Sequence, residues 1–155
     1  TVSVEAEGQT YDATVISYDP DADISILDVP NLPQKPLVFA DQPAKSGTDA
    51  VVLGFRGGGD FVATPARVRE IIELSGPDIY KSTTVNREVY TIRGTVRQGN
   101  SGGPMINRTG EVIGVVFGAA VDDDDTGFVM TANEVSRQLK KVGYSTKVPT
   151  GSCVK

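Results

Sequence analysis

The sequence predicts an all-β protein that ends in one short helix. Its apolar segments are short and rich in β-branched residues, as in Tyr11–Ser17 and Asp49–Phe55, and this pattern is typical of strands. The chain of 155 residues also holds 17 glycines and nine prolines, which supply turns between such segments. Apolar residues at helical spacing stand out only near the C-terminal end. Short strands joined by frequent turns indicate a β-barrel or a β-sandwich.

The first part of the chain predicts three strands and a connector. Val2–Val4 and Tyr11–Ser17 are expected to pair as a hairpin around the turn Glu5–Gln9, because the two segments flank a short polar stretch that contains glycine. Ile24–Val29 has the continuous apolar character of a buried strand. The proline-rich stretch Asn31–Pro36 is interpreted as the passage towards the second half of the chain.

The rest of the chain carries further extended segments and the turns between them. The glycine run from Arg56 to Asp60 is not followed by the Lys-Ser/Thr pair of a phosphate-binding loop, so it is interpreted as a hairpin tip. Turns are also expected at Ser75–Asp78 and Asn107–Gly110. The extended segments are Leu37–Ala40, Asp49–Phe55, Phe61–Leu74, Val89–Arg93, Met105–Ile106, Val112–Phe117 and Gly127–Thr131.

One amphipathic helix is expected close to the C-terminus. Thr131 or Asn133 can cap its first turn, and Gly143 suits its C-terminal end. The apolar residues that give the helical spacing are Val135, Leu139 and Val142.

Composition excludes several classes of function. The net charge of −5 argues against nucleic acid as a partner, since phosphate binding needs a basic surface. No apolar stretch approaches the roughly 20 residues of a membrane span, so no membrane contact by this domain is expected. Asp122–Asp125 are expected to form a solvated loop, because four consecutive carboxylates cannot all face one ion. The sequence therefore predicts neither a metal nor a cofactor.

The segment around Ser101 carries the strongest chemical signal. Ser101 lies between Asn100 and Gly102, and Gly103-Pro104 follow. Glycine at position 99 can turn its N–H inward without a Cβ penalty, and together with the N–H of Ser101 it would form a two-donor cradle for an oxyanion. The simpler interpretation of this loop is a tight turn between two strands.

Two strings in the sequence resemble trypsin-like serine proteases. Gly99–Pro104, read as Gly-Asn-Ser-Gly-Gly-Pro, resembles the nucleophile loop of that family and most closely its HtrA-like branch. Asp23-Ile24-Ser25-Ile26-Leu27 resembles the segment that carries the family's catalytic aspartate. The resemblance implies that Ser101 is the nucleophile and that Asp23 orients a histidine. It also implies an oxyanion hole formed by Gly99, Asn100 and Ser101.

The same resemblance implies a fold. Members of the family consist of two six-stranded antiparallel β-barrels followed by a C-terminal helix. Residues of about 1–35 would belong to the first barrel, which is incomplete in this chain. Residues 36–143 would form the second barrel and the helix, and residues 144–155 would form a tail.

The chain contains no histidine. A serine hydroxyl is a weak nucleophile without a base, and the resemblance places the histidine before Asp23, so it is expected in a segment upstream of Thr1. These 155 residues alone are expected to be nearly inactive. The missing segment is also an expected partner, carrying a cysteine that pairs with Cys153, because a single cysteine in an exported protein suggests an absent partner. A free terminal thiol is the alternative.

The substrate pocket can be placed only through the resemblance. None of its expected residues is acidic, and a buried carboxylate would be needed to select arginine or lysine. An uncharged, apolar or small residue is therefore expected before the cleaved bond, and the edge Val116–Ala119 is expected to pair with the substrate backbone. The expected pocket residues are Thr95, Val116, Phe117, Gly118, Ala119 and Gly127.

The sequence thus predicts a serine endopeptidase that acts on peptide or protein substrates. A catalytically inactive module that binds peptides is the alternative. HtrA-like proteases usually continue into a PDZ domain, which this sequence does not show. Gly127–Met130 and the terminal cysteine resemble membrane-anchored periplasmic members of the branch. A periplasmic or extracytoplasmic location is therefore expected, with any membrane anchor upstream.

Overall fold

A computed structural model describes residues 1–143 and 146–154 of the chain. Within them it contains nine strands, one α-helix and one 3₁₀ turn at Arg56–Gly58. The elements are β1 (Val2–Ala6), β2 (Gln9–Asp19), β3 (Ile24–Asp28), β4 (Asp49–Phe55), β5 (Phe61–Pro77), β6 (Thr84–Arg93), β7 (Pro104–Ile106), β8 (Val112–Ala119), β9 (Thr126–Thr131) and α1 (Ala132–Leu139). The expected fold class, all-β with a C-terminal helix, is confirmed.

The chain divides into two compact units. The first comprises Thr1–Pro36, Ser75–Asn86 and Ser136–Lys155, and the second comprises Leu37–Leu74 and Arg87–Val135. The sequence-based division placed residues 75–86 and 136–143 with the second barrel. Those residues lie in the first unit instead. Backbone hydrogen bonds join this unit's segments, from Ile79 N–H to the Pro20 carbonyl (3.2 Å) and from Val148 N–H to the Val15 carbonyl (2.9 Å). Of the expected tail, positions 144, 145 and 155 lie outside the described residues.

The first unit contains an antiparallel three-stranded sheet in the order β1-β2-β3. Its first hairpin turns on Glu7 and Gly8, which have φ angles of 52° and 74°. Two successive positive φ angles are typical of the type I′ turn, whose twist matches that of paired strands. This hairpin confirms the expected pairing, although β1 and β2 are both longer than the sequence indicates.

The second unit contains a closed six-stranded barrel in the order β4-β5-β6-β9-β8-β7. Along its strands, side chains that point into the core alternate with side chains that point to the surface, as strand geometry requires. The hydroxyl of buried Tyr90 accepts a hydrogen bond from the Ala44 N–H (2.9 Å), which satisfies the one polar atom of that ring. The buried core residues are Ala50, Val52, Ala66, Val68, Tyr90, Ile92, Val96, Met105, Ile113, Val116 and Val129.

Strand β5 is longer than expected, and the predicted turn at Ser75–Asp78 is displaced. The strand continues to Pro77. Asp78 then organises the turn: its Oδ1 accepts the Ser82 N–H (2.7 Å) and its Oδ2 accepts the Ser82 hydroxyl (2.6 Å). Such side-chain bonds to a following turn are characteristic of aspartate, so the turn forms after Asp78 rather than before it.

The helix α1 begins as expected and ends early. Thr131 caps it, with its Oγ1 accepting the Glu134 N–H (3.2 Å), whereas Asn133 lies inside the helix. The regular helix ends at Leu139 rather than at Gly143. The chain then tightens, since Lys141 N–H and Val142 N–H each bond to the carbonyl three residues before. This 3₁₀-type tightening is common in last turns.

Candidate active site

The serine loop, residues 94–103 between β6 and β7, begins with a tight turn. The N–H of Asn100 donates to the carbonyl of Arg97 (3.0 Å), and Gly99 has a φ of +91°. That angle at the third turn position is typical of a type II turn, which favours glycine there. A Cβ at Gly99 would clash with the carbonyl oxygen of Phe55. Position 99 therefore requires glycine for its backbone angle and for its close approach to β4.

Ser101 follows this turn and is exposed. Its Oγ donates a hydrogen bond to the carbonyl of Phe117 (3.3 Å). The next residues fasten the loop to β8: Gly102 N–H donates to the Val116 carbonyl (2.8 Å), and Val116 N–H donates to the Gly103 carbonyl (2.9 Å). The hydroxyl is thus accessible while the backbone that carries it is fixed.

The peptide group between Gln98 and Gly99 has a defined orientation. The Gln98 carbonyl accepts the N–H of Gly57, in the 3₁₀ turn, at 2.8 Å. In a trans peptide the N–H points opposite to the carbonyl, and the described chain has no cis peptide bond. The N–H of Gly99 therefore points away from the 3₁₀ turn.

Asn100 is placed differently from the expectation that it belongs to the oxyanion hole. It is fully buried, with 0% of its surface exposed, and its N–H is already bonded within the turn. Its Oδ1 accepts the Arg97 N–H (2.9 Å), and its Nδ2 has no hydrogen-bond partner among the described residues. A group so enclosed cannot reach a substrate oxygen. Asn100 shapes the turn instead.

The expected pocket residues fall into two groups, and Val116 belongs to the core. Only 1% of Val116 is exposed, and its backbone N–H and carbonyl are used by the serine loop. It is therefore unavailable to a substrate strand. By contrast, Phe117 lies at a bulge between Val116 and Gly118, and its carbonyl faces Ser101. Ala119 is exposed at the end of β8.

The two glycines of the expected pocket have different surroundings. A Cβ at Gly118 would meet no atom within 4 Å, whereas a Cβ at Gly127 would lie 2.5 Å from Val96 Cγ2. Gly118 thus borders open space, and Gly127 allows close packing. Thr95 is half-buried, and its carbonyl accepts a hydrogen bond from Nη2 of Arg56 (3.3 Å). Arg56 was not among the predicted site residues, because it acts through a contact with a residue 39 positions away.

Asp23 lies in the first unit, at the turn that leads into β3. It is exposed and has a φ of +57°, a left-handed angle that aspartate tolerates better than most residues. Asp19 builds this turn, with its Oδ1 accepting the N–H groups of Asp21 and Ala22, both at 3.0 Å. The Nζ of Lys141 lies 2.8 Å from Oδ2 of Asp19.

Hydrogen bonds stabilise the negative charge of the Asp19 carboxylate. Partial burial would raise the pKa of Asp19, but hydrogen bonds from Lys141 and the Ala22 N–H outweigh it, so the pKa falls below the usual 3.8. The carboxylate is therefore the favoured form at neutral pH. The turn that presents Asp23 is consequently fixed both by its own hydrogen bonds and by a lysine from the segment after α1.

The acidic loop at Asp122–Asp125 makes hydrogen bonds and an ion pair with neighbouring residues. The Arg93 guanidinium pairs with Asp125 (2.9 Å), and Asp123 Oδ2 accepts the Thr126 hydroxyl (2.6 Å). Cys153 is an exposed free thiol within the described residues, so its pairing stays a prediction. In the described part of the chain, no cluster of potential ligands suits a metal ion. No helix there has the length and apolarity to cross a membrane.

Comparisons with known proteins identify the family to which the chain is similar. A family model described as trypsin-like peptidase domain matches residues 1–115. Serine protease Rv3671c of Mycobacterium tuberculosis is 60% identical over 154 residues, covering 99% of the chain and 39% of that protein. A probable periplasmic serine endoprotease of Chlamydia pneumoniae, DegP-like, is 28% identical over 151 residues, covering 91% of the chain and 29% of that protein.

A solved structure is also similar. The crystal structure of the active form of the Rv3671c protease from M. tuberculosis superposes with a TM-score of 0.94 at 60% identity, covering 99% of this chain and 68% of that one. The chain spans less than half the length of the two curated relatives, Rv3671c and the DegP-like protein of C. pneumoniae.

Proposed function

Because the chain belongs to the trypsin-like peptidase family, we propose that it is part of a serine endopeptidase that cleaves peptide bonds through an acyl-enzyme. The observation that carries the proposal is the exposed Ser101 hydroxyl. It follows a turn whose peptide orientation leaves the Gly99 N–H pointing away from the 3₁₀ turn. An exposed serine in a glycine-rich loop, whose backbone N–H groups can act as donors, is suited to acyl transfer.

The proposed reaction proceeds in two halves. Ser101 Oγ attacks the substrate carbonyl carbon while its proton passes to a histidine, and the N–H groups of Gly99 and Ser101 stabilise the oxyanion. The intermediate collapses, and the leaving amine takes the proton from the histidine. Water then attacks the acyl-serine ester with the same base, releasing the acid product and regenerating the hydroxyl.

The base of this reaction is proposed to lie outside the 155 residues, which contain no histidine. Asp23 would hold that histidine in the tautomer that accepts the serine proton, and its carboxylate would stabilise the imidazolium. Family membership supports these roles, as does the rigid turn on which Asp23 is carried. Coverage of only 39% of a relative that is 60% identical is consistent with a longer protein that supplies the base.

Substrate preference follows from the pocket residues that remain. Phe117, Gly118 and Ala119 are proposed to bind the acyl side of the substrate by strand addition, with Val116 removed from that set. Thr95 and Gly127 are proposed to line the pocket for the residue before the cleaved bond. None of these residues is charged, so an uncharged side chain is expected before the cleaved bond.

The cellular setting is proposed from the relatives. A DegP-like relative is named as periplasmic, and we propose an extracytoplasmic location for this protein, tethered through a part of the protein outside this chain. Cys153 would form a disulfide with a cysteine in that part, since such bonds persist in oxidising compartments.

Labelling of the full-length protein with a fluorophosphonate tests the proposal. The reagent should label the protein, and Ser101→Ala should abolish labelling. Ser46→Ala, which alters another exposed serine of the same unit, is the matched control and should label normally. Labelling that persists in Ser101→Ala would reject Ser101 as the nucleophile. A folded full-length protein that does not label would reject the proposed activity.

A further inference from the structure

The tip of the β4–β5 hairpin carries an exposed pair of aromatic rings. Phe55 and Phe61 are cross-strand partners, their ring centroids lie 5.8 Å apart, and the rings meet edge to face. Phe55 is 59% exposed and Phe61 is 57% exposed. Of the aromatic residues in positions 1–143 and 146–154, these two alone are exposed. Two adjacent solvated rings indicate a binding surface rather than a packing role.

The pair is continuous with the serine loop. The Phe55 carbonyl contacts Gly99 so closely that no side chain fits at position 99. Next along the chain, Gly57 N–H bonds to the Gln98 carbonyl (2.8 Å). Within the 3₁₀ turn, Gly59 N–H bonds to the Arg56 carbonyl (3.0 Å). The rings therefore stand on a backbone that is anchored to the residues just before the nucleophile.

The position of the pair suggests which part of a substrate it meets. The serine loop contacts β8 through Gly102 and Gly103, which follow Ser101, and it contacts the hairpin through Gln98 and Gly99, which precede it. The acyl side of the substrate is proposed to pair with Phe117–Ala119 on β8. A chain that continues past the cleaved bond over Gly99 leads towards the hairpin. An extended chain advances roughly 3.3 Å per residue, and the hairpin backbone contacts Gln98 and Gly99, so the first few residues on that side would pass the hairpin that carries the rings.

We propose that Phe55 and Phe61 form an aromatic subsite that binds a large apolar side chain of the polypeptide substrate on the leaving-group side. This inference rests on the proposed function. The occupant is a substrate side chain because the surface is apolar and continuous with the serine loop. An edge-to-face pair offers both a ring face and a ring edge to an incoming aromatic or branched aliphatic group. The subsite favours cleavage before apolar segments.

Three pairs of peptide substrates with the same acyl side test this subsite in the full-length protein. Within each pair, one peptide carries phenylalanine and the other alanine at one of the first three leaving-side positions. Filling an apolar subsite is worth roughly 10- to 200-fold in kcat/KM, so the wild type should prefer phenylalanine at one of those positions by at least tenfold. Phe55→Ser with Phe61→Ser should reduce that preference to about twofold or less.

The control is Ile71→Ser, which removes another exposed apolar side chain from β5 (42% exposed) and should keep the preference. Fluorophosphonate labelling involves no leaving-side residue, so its rate should be unchanged in the double variant. An unchanged preference in the double variant would overturn the subsite, even where the wild type labels normally. A wild type that neither labels nor cleaves would reject the proposed function itself.

Two further outcomes would also count against the subsite. A labelling rate that falls together with the preference would show that the rings support the serine loop instead of binding substrate. A lower melting temperature of the double variant, with the preference intact, would assign the rings a structural role, through their contact with each other or with another part of the full-length protein.

Discussion

Gly99 is the residue where backbone and packing constraints meet. Its φ of +91° is costly for other residues, and any Cβ there would strike the Phe55 carbonyl. We expect Gly99→Ala in the full-length protein to turn or displace the peptide group whose N–H is proposed to bind the oxyanion. Loss of one such donor costs about 10²–10³-fold in rate. The measurement is the rate of fluorophosphonate labelling.

Gly110→Ala is the matched control for that prediction. Gly110 has a similar φ of +82°, but a Cβ there would meet no atom within 4 Å. We expect this variant to lose about 1–2 kcal/mol of stability from the left-handed angle alone and to label at the wild-type rate. Equal labelling of the two alanine variants would contradict the role given to Gly99.

Some of the site could be predicted from sequence because its signals are local. Ser101 and the glycines around it form a short sequence motif that indicates a nucleophile without knowledge of the fold. Asp23 likewise stands at the start of a short motif that predicts a strand. The burial of Asn100 was not predictable in this way, since it depends on packing against Gly54 of β4, 46 positions earlier. The engagement of Val116 by Gly102 and Gly103 depends likewise on strand register across the barrel.

At the scale of elements, the N-terminal cap of α1 is a strong local anchor. Thr131 Oγ1 accepts the Glu134 N–H (3.2 Å) and donates to Glu88 Oε1 (2.7 Å). We expect Thr131→Ala to lower the free energy of unfolding by about 1–2 kcal/mol, because it removes a cap and leaves buried groups unsatisfied. Thr131→Ser, which keeps the hydroxyl, should lose less than half as much in urea unfolding. Equal losses would show that the methyl group matters and the cap does not.

The link between Lys141 and Asp19 ties the turn after β2 to the segment after α1. Hydrogen bonding lowers the pKa of Asp19 in the folded chain, so its contribution to stability is present above the unfolded pKa and is lost as pH falls through the folded pKa. We expect Asp19→Asn to lose up to about 1 kcal/mol at pH 7. The amide oxygen keeps the acceptor for the Asp21 and Ala22 N–H groups, whereas the charge and the acceptor that faces Lys141 are lost. As pH falls through the folded pKa of Asp19, the stabilities of the variant and the wild type should converge.

Urea unfolding of the full-length protein at pH 7 and at pH 2.5 measures this effect. Lys141→Gln is the matched variant from the other side of the ion pair, and the double substitution should cost no more than either single one. A stability difference for Asp19→Asn that is the same at both pH values would exclude the charge as its source.

Element boundaries were harder to predict than element identity. The strand content and the first hairpin follow from the residue pattern, but β5 continues through Ser75 to Pro77, where a turn was expected. The position of that turn is determined by the Asp78 carboxylate, which accepts hydrogen bonds from Ser82. The residue composition of the segment does not reveal this contact. In the same way α1 ends one turn early because its last backbone groups bond three residues back.

At the scale of the whole molecule, the 155 residues contain no histidine, so the chain can adopt its fold without holding the proposed catalytic base. The second unit closes its six-stranded barrel and presents Ser101 without that residue. We expect the 155-residue chain by itself to label with a fluorophosphonate about 10⁶-fold more slowly than the full-length protein, the typical cost of removing the base from such a unit. Comparable rates for the two would show that a group within this chain, such as a lysine or tyrosine, serves as the base.

The contrast between Gly118 and Gly127 has a consequence for how such an enzyme diversifies. We expect a branched side chain at position 118 to fit into open space and, at the proposed substrate-binding edge of β8, to restrict which substrates bind. At position 127 even a methyl group would press on Val96 and Ile92 and unsettle the barrel interior. We therefore expect substrate selectivity to change through substitution at position 118, whereas packing restricts position 127 to glycine.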